Sequence, residues 1–434
     1  MAEPLGIALI GCGTVGGGVA SLLLEKPERL AARAGRPLAL RRVVVRDPSR
    51  DRAVRLPREL LTTDLHQVVR DPGVQVAVEL AGGVDFARHA VLALLAAGKD
   101  VVTANKALLA EHGPEVFDAA RKHGRAVAFE ASVAGGVPII AALTQGLAAN
   151  QIVALQGILN GTCNFILTNM SEHGSGYAEA LAEAQRRGYA EADPTLDVDG
   201  TDTAHKLAIL AQIAFGVAVP FAALERRGIQ DVDATDIRFA HELGYTIKLL
   251  AEAWLHENQL ALHVSPVLLR RQEPLAQVRG AYNAIYVVGD AVGDTLYYGR
   301  GAGQMPTASA VVADLIDLAV GRAQRTFHTL RLWSGNGRPL ALRPSAAVRS
   351  RFYLRLLVED RPGVLAEVAH VLAEHQVSIS SVIQHEAPEE HEGERVHLVI
   401  MTHTAPTGSF RAAVAGIDRL RCVAPPSMYY PVGD

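Results

Sequence analysis

The 434-residue chain is 49% hydrophobic and 20% charged, which supplies several packed cores and excludes a disordered or fibrous polymer. A formal net charge of −4 provides no basic field for nucleic acid or an anionic membrane, and no run approaches the roughly 20 apolar residues of a membrane span. Cys12, Cys163 and Cys422 are too widely spaced for a disulfide framework or a zinc site, no leader precedes the first strand pattern, and the chain is expected in the cytoplasm.

In chain order, residues 6–10 read as a strand and residues 13 to about 24 as a helix. Strand patterns follow at 40–46, 74–80, 100–102 and 126–129, and helical patterns near 64–70, 86–97 and 115–123. This alternation predicts a Rossmann-type parallel sheet of βαβ units over residues 1–130, giving an α/β fold class. From about Ala131 the rhythm changes: a glycine-punctuated helix near 137–146, a strand at 152–159 ending at Asn160-Gly161-Thr162, a loop at 172–176, and helices at 178–187 and 202–215. Antiparallel strands are expected at 249–255, 260–264, 284–292 and 296–299, the last two joined by Gly293-Asp294. Residues 131–305 thus read as an α+β catalytic and dimerisation domain. Residues 306–333 are expected to return to the nucleotide-binding domain as a helix and a strand, and 334–349 form a linker. Residues 350–434 carry strand patterns at 351–359, 377–386, 396–402 and 421–424 with helices at 363–374 and 409–415, the order of a ferredoxin-like βαββαβ unit.

Three stretches carry chemistry. Gly11-Cys12-Gly13-Thr14-Val15-Gly16 follows a strand and opens a helix, so its glycines permit a tight turn, close approach to a pyrophosphate and close helix packing. At the end of the second strand, Arg46 suits a 2′-phosphate, which favours NADP(H), while the adjacent Asp47 keeps NAD(H) open. Thr103-Ala104-Asn105-Lys106 lies at the sheet edge where ligands of open α/β sheets bind. The third stretch runs from Glu191 and Asp193 to Asp202 and Lys206, a carboxylate-rich approach to a helix on which Asp202 and Lys206 share one face. Only six of the 42 basic residues are lysines, and an amine, unlike a guanidinium, can lose its proton.

These stretches, with GCGTVGGGV, TANK, EASVAGGVP, LNGTCNFIL, GYAEADPTLDVDGTDTAHK and GRGAGQMPT in order, make the chain resemble the homoserine dehydrogenase family over essentially its whole length. Residues 359–366 resemble the start of an ACT regulatory domain. The resemblance implies reversible oxidation of L-homoserine to L-aspartate 4-semialdehyde, with Lys206 as acid/base, Asp202 as its substrate-contacting partner and Lys106 as a second active-site lysine. It also implies Glu191 and Asp193 at the substrate, and Gly161 and Thr162 in the loop beside it. Cofactor contacts are implied for Gly11, Gly13, Thr14, Val15, Gly16, Thr103, Lys106 and Gly303. Ala81 stands where some members carry a hydroxyl residue. A Na⁺ or K⁺ site is implied at Glu130, Val133, Gly135 and Val137, and threonine is implied as effector of a homodimer or homotetramer. The acidic tract 385–392 reads as a solvated loop, its ligand spacing being too irregular for a metal. A reading from another class, a non-catalytic amino-acid sensor with a vestigial front end, is opposed by the intact Lys206, Asp202, Glu191 and glycine turn.

Overall fold

The computed structural model describes residues 2–334, 340–385 and 395–433. The chain divides into two compact units: 1–155 with 202–224 and 282–340, and 156–201 with 225–281 and 341–434.

The first unit is built on six parallel strands: β1 (Leu5–Ile10), β2 (Leu38–Val44), β3 (Leu61–Thr62), β4 (Val76–Glu79), β5 (Asp100–Thr103) and β6 (Val127–Ala128). Their order is β3-β2-β1-β4-β5-β6, so the direction of winding reverses between β1 and β4 and leaves a crevice at their carboxyl ends. Helices α1 (Thr14–Glu25), α2 (Pro27–Ala34), α3 (Leu65–Arg70), α4 (Asp85–Ala96) and α5 (Lys106–Lys122) link the strands. Ile7, Leu9, Val78, Val101 and Val102 have no exposed surface, and this continuous apolar character is what a sheet covered on both faces requires.

The same unit contains the hairpin Tyr282–Gly289 and Gly293–Arg300 and two helices, Gln304–Ala319 and Arg322–Leu330. Two expectations are corrected here. The hairpin turns at residues 290–292, so Gly293 opens the second strand instead of forming the turn. The strand expected within 306–333 is a helix, because Phe327 must reach back to stack on Phe117, with ring centroids 5.3 Å apart.

In the second unit, α6 (Gly161–His173) was hidden in a stretch that reads as a strand end. Asn160 starts it, its Oδ1 accepting from the Cys163 amide at 2.7 Å, the usual work of an N-cap. Helix α7 (Tyr177–Arg186) follows, and α8 (Thr201–Phe215) carries the chain back into the first unit from Asp202 onward. Helix α9 (Ala234–Glu242) precedes the antiparallel pair β7 (Tyr245–His256) and β8 (Gln259–Arg270), both longer than their sequence patterns.

The C-terminal segment forms β9 (Arg349–Glu359), α10 (Val364–Glu374), β10 (Ile379–Gln384), β11 (Arg395–Thr402), α11 (Thr407–Ile417) and β12 (Val423–Val432). Strands β12-β9-β11-β10 make an antiparallel sheet, and Phe352, Leu354, Leu356 and Val358 pack beneath Val368, Leu372 and Phe410. The last strand is more than twice the expected length. Pro425 and Pro426 mark a strand break by composition, but a register irregularity between Arg355 and Leu357 accommodates them. Through Leu268↔Val432, β12 runs parallel to β8, so the C-terminal sheet continues the β7–β8 sheet. Asp236 on α9 clamps this junction. It is fully buried and accepts from Arg355 Nε at 2.6 Å, Arg355 Nη2 at 2.9 Å, and the Tyr353 and Tyr430 hydroxyls at 3.0 and 3.2 Å. Residues 386–392 of the acidic tract lie outside the described residues. Among the described residues no helix is long and apolar enough to cross a membrane.

Candidate active site

The glycine turn sits where the sheet order reverses. Gly11 has φ +103°, and a Cβ there would lie 2.6 Å from the Leu80 carbonyl oxygen; one on Gly16 would lie 2.4 Å from the Gly11 oxygen. Both positions therefore exclude a side chain. Gly13 differs, since a Cβ built on it meets nothing within 4 Å, and it immediately precedes the first turn of α1, which includes Thr14, Val15 and Gly16. Open space beside the unpaired amides of a helix start is the form of a phosphate cradle. The helix Gln304–Ala319 packs on α1, and Gly303 precedes it with φ +118°.

Beyond β2, Arg46 is exposed. Asp47 is turned to its own loop: its Oδ1 accepts from the Ser49 amide and hydroxyl at 2.8 and 2.6 Å, and these bonds hold its carboxyl below the usual range. At the ends of β4 and β5, Thr103 Oγ1 donates to Glu79 Oε2 at 2.7 Å and the Ala81 amide to Glu79 Oε1 at 2.9 Å. Burial pushes the Glu79 carboxyl up against these hydrogen bonds. Sequence reasoning missed Glu79, which lies inside the apolar strand pattern at 74–80. Only the parallel register that sets it opposite Thr103 gives it a role in shaping the crevice.

Lys106 is the first residue of α5, fixed there by Asn105, whose Oδ1 accepts from the Leu108 amide and whose Nδ2 donates to the Gly83 carbonyl. A cation at the positive end of a helix dipole is unfavourably placed unless an anion compensates it. Asp202 does so: its Oδ1 lies 2.7 Å from Lys106 Nζ, and its Oδ2 accepts from Lys206 Nζ at 2.7 Å. The Asp202 and Lys206 side chains are 6% and 11% exposed, whereas that of Lys106 is 40% exposed and open to solvent. Burial opposes ionisation of Asp202, but the two ammonium groups outweigh it and hold the carboxyl well below the usual range. One carboxylate thus holds two amines, and the trio retains a net positive charge. A second residue without a sequence signal is His205, next to Lys206, stacked on Phe221 with Nε2 3.7 Å from Glu111 of α5.

The remaining predicted residues belong to the second unit or to the loop after β6. In the second unit Thr162 Oγ1 donates to the Tyr189 carbonyl at 2.6 Å beside Gly161, which begins α6. Asp193 accepts from the Thr195 amide and hydroxyl, and Glu191 is exposed, its carbonyl accepting from Gln185. After β6, Glu130 is buried, and its two carboxylate oxygens accept from the Ile140 and Ala141 amides at 3.0 and 2.7 Å. Its own amide donates to buried Asp314, and burial pushes the Glu130 carboxyl up to about 7. Val133, Gly135 and Val137 are buried in the loop that follows, with Ala134 at φ +48°.

A glycine turn at the switch point of a parallel sheet and two lysines held by one buried carboxylate, both in one unit, have the form of a pyridine-nucleotide-linked dehydrogenase. Comparison with known proteins specifies which. Residues 11–130 match the homoserine dehydrogenase NAD-binding domain, 138–316 the homoserine dehydrogenase domain and 352–418 the ACT domain. Homoserine dehydrogenases of Neisseria gonorrhoeae and Pseudomonas aeruginosa are 43% and 44% identical over 98% of this chain, covering 97% and 98% of their own lengths. The crystal structure of a homoserine dehydrogenase from Thiobacillus denitrificans superposes with a TM-score of 0.90 at 43% identity, covering 100% of this chain and 99% of that one. A hyperthermophilic archaeal homoserine dehydrogenase in complex with NADPH matches with a TM-score of 0.63 at 27% identity, covering 74% of this chain and 98% of its own. The chain belongs to the homoserine dehydrogenase family, and is an oxidoreductase of amino-acid biosynthesis with an intact ACT domain.

Proposed function

We propose that the chain interconverts L-homoserine and L-aspartate 4-semialdehyde with NADP(H) as its preferred cofactor and Lys206 as the acid/base. The observation that carries this reading is the carboxylate of Asp202 shared by Lys106 and Lys206. When bound, the nicotinamide supplies the hydride chemistry. Lys206 takes the proton of the substrate hydroxyl in one direction and returns it to the same oxygen in the other. Lys106 contributes a second positive charge, which disfavours protonation of its neighbour, while Asp202 opposes that effect and fixes both amines in place. Glu191 is assigned to the substrate ammonium, with Asp193, Gly161 and Thr162 shaping the same region. Gly11, Gly13, Thr14, Val15 and Gly16 hold the pyrophosphate, and Ala81, Thr103 and Gly303 border the cofactor crevice.

The NADP preference rests on exposed Arg46 and on the engagement of one Asp47 carboxylate oxygen by the Ser49 amide and hydroxyl. Homoserine oxidation followed by absorbance at 340 nm with each cofactor tests both claims. Arg46→Asp is expected to lower kcat/KM for NADP by at least about tenfold more than for NAD, since it replaces a 2′-phosphate partner by a like charge. Equal losses would remove Arg46 from the phosphate site.

The residues after β6 fit a monovalent cation. Burying the Glu130 carboxyl beside Asp314 is unfavourable unless a positive charge compensates it, and each carboxylate oxygen of Glu130 keeps a lone pair beyond its amide bond. Glu130 and the carbonyls of Val133, Gly135 and Val137 would hold Na⁺ or K⁺ as a structural tie. Replacing K⁺ and Na⁺ by tetramethylammonium at constant ionic strength is expected to lower Tm by several degrees in the native protein and by much less in Glu130→Gln. An equal response of the two proteins would dissociate Glu130 from cation binding.

For regulation, we assign threonine to the start of α10, where Gly363 has φ +95° and Arg361 bridges Glu359 and Glu367. Calorimetry of the intact protein with millimolar threonine is expected to show saturable binding and a parallel fall in rate; neither heat nor inhibition would leave the ACT domain a purely structural element. A homodimer or homotetramer is supported by Val292, Leu296 and Tyr298, exposed on the hairpin of the first unit, and is tested by light scattering. Three free cysteines accord with a cytoplasmic setting.

A further inference from the structure

A cavity of about 750 Å³ lies wholly within the second unit, between the face of β7 and β8 and the segment that leads into β9. It is none of the sites assigned above. Its lining combines charged and apolar surface. From β7, Glu252 enters it with 2% exposure, a buried carboxylate whose Oε1 accepts from Gln156 Nε2 at 2.8 Å and whose Oε2 lies 3.3 Å from His263 Nε2. Each of these oxygens keeps capacity for another donor. From β8, Ser265 presents a hydroxyl oxygen that is buried and has no hydrogen-bond partner. A buried polar atom left unmatched in the free protein is a place where a bound molecule can gain a hydrogen bond.

The cation of the site is Arg343. Its amide donates to the Leu260 carbonyl at 2.9 Å, which holds the residue beside the start of β8, and no carboxylate partners its guanidinium among the described residues. The neighbouring arginines are engaged: Arg411 with Glu225, and Arg349 with the Thr404 carbonyl. Leu260, which anchors Arg343, and His263, which faces Glu252, are three residues apart on β8, so the two charged residues reach the cavity from neighbouring positions along that strand. Trp254, Val267, Phe352 and Tyr429 add an apolar and aromatic patch to a wall that otherwise carries polar groups, and the volume leaves room for a full side chain.

We propose that this cavity binds a free α-amino acid with an apolar side chain, its ammonium on Glu252, its carboxylate on Arg343, and one of the two groups on Ser265. The site is distinct from the Gly363 turn, and its existence does not depend on the dehydrogenase reading. Phe352 and Tyr429 come from β9 and β12, while Glu252 and Ser265 come from β7 and β8. The ligand therefore touches both halves of the continuous sheet.

The test uses the full-length protein and titration calorimetry with L-methionine and L-phenylalanine, alongside L-methionine methyl ester and N-acetyl-L-methionine. Saturable binding of at least one free amino acid is expected, weakened at least tenfold by loss of either charged group in the two derivatives. Glu252→Gln and Arg343→Ala are expected to weaken it similarly. Ser265→Ala removes a hydroxyl that is unpaired in the free protein, so it should leave Tm unchanged or higher while lowering affinity severalfold. Arg361→Ala, before the start of α10 and outside the cavity lining, should leave this binding intact. No saturable binding up to 10 mM, or equal binding of the blocked derivatives, overturns the proposal. So does binding that survives Glu252→Gln but is lost in Arg361→Ala. If the wild type binds neither amino acid and Arg343→Ala lowers the oligomeric mass, the cavity is a contact between copies of the chain and the proposal is wrong.

Discussion

Lys206→Ala is expected to lower kcat by about 10²–10⁴-fold while leaving the affinity for NADP nearly unchanged. The reason lies in the placement of the amine. Lys206 is 11% exposed on a helix that continues as Leu207, Ile209 and Leu210, all without exposed surface, so little water reaches it to take over as proton acceptor. Lys206→Arg should fail almost as completely, because it keeps the charge and the ion pair to Asp202 but cannot release a proton near neutral pH. Comparing the two variants separates proton transfer from electrostatic holding. If Lys206→Arg recovered most of the rate, the amine would be a charge and not a base.

Asp202→Asn is expected to cost about 10²-fold in kcat by a different route. The amide cannot hold two ammonium groups at 2.7 Å, so Lys106 and Lys206 repel one another and the reacting amine loses its fixed position. The sign of the accompanying pH effect follows from charge. A carboxylate favours protonated amines and its removal favours neutral ones, so the acidic limb of the residual kcat profile should move to lower pH. A kcat profile that keeps its position and falls uniformly would mean that Asp202 acts on the substrate alone. Binding of NADP, measured by fluorescence, should hardly change in either variant, since neither residue belongs to the glycine turn.

The sequence makes the chemistry legible where it is local. The glycine turn, Lys106 at a helix start and the spacing of Asp202 and Lys206 are all short-range patterns, and each side chain lies on the element its pattern implies. Asn160 shows the opposite case. Its neighbours read as the end of a strand because Gly161 interrupts the apolar run, and only the bond from the Cys163 amide shows that the same residues begin α6. Glu79 and His205 were invisible because their partners, Thr103 and Glu111, are distant in sequence and are fixed by sheet register and helix packing. Asp236 carries no local signature either. The four hydrogen bonds it accepts come from residues more than a hundred positions away. The last strand shows a third case: the pattern at 421–424 marks only its start, and the strand runs on through Pro425 and Pro426 because the register opposite them is irregular.

The clamp on Asp236 and the parallel register of β12 with β8 have a bearing on how such chains can be rearranged. A cut before residue 350 divides the second unit instead of falling between units. It uncovers a strand edge at Leu268 and strands a carboxylate whose partners Tyr353, Arg355 and Tyr430 leave with the excised piece. An ACT domain exchanged between two such enzymes must therefore bring its own version of α9, or accept an aspartate with the donor geometry of Arg355. The transplantable piece begins at α9 and not at the linker, and recombination that ignores this boundary joins two well-formed sequences into one poorly formed sheet.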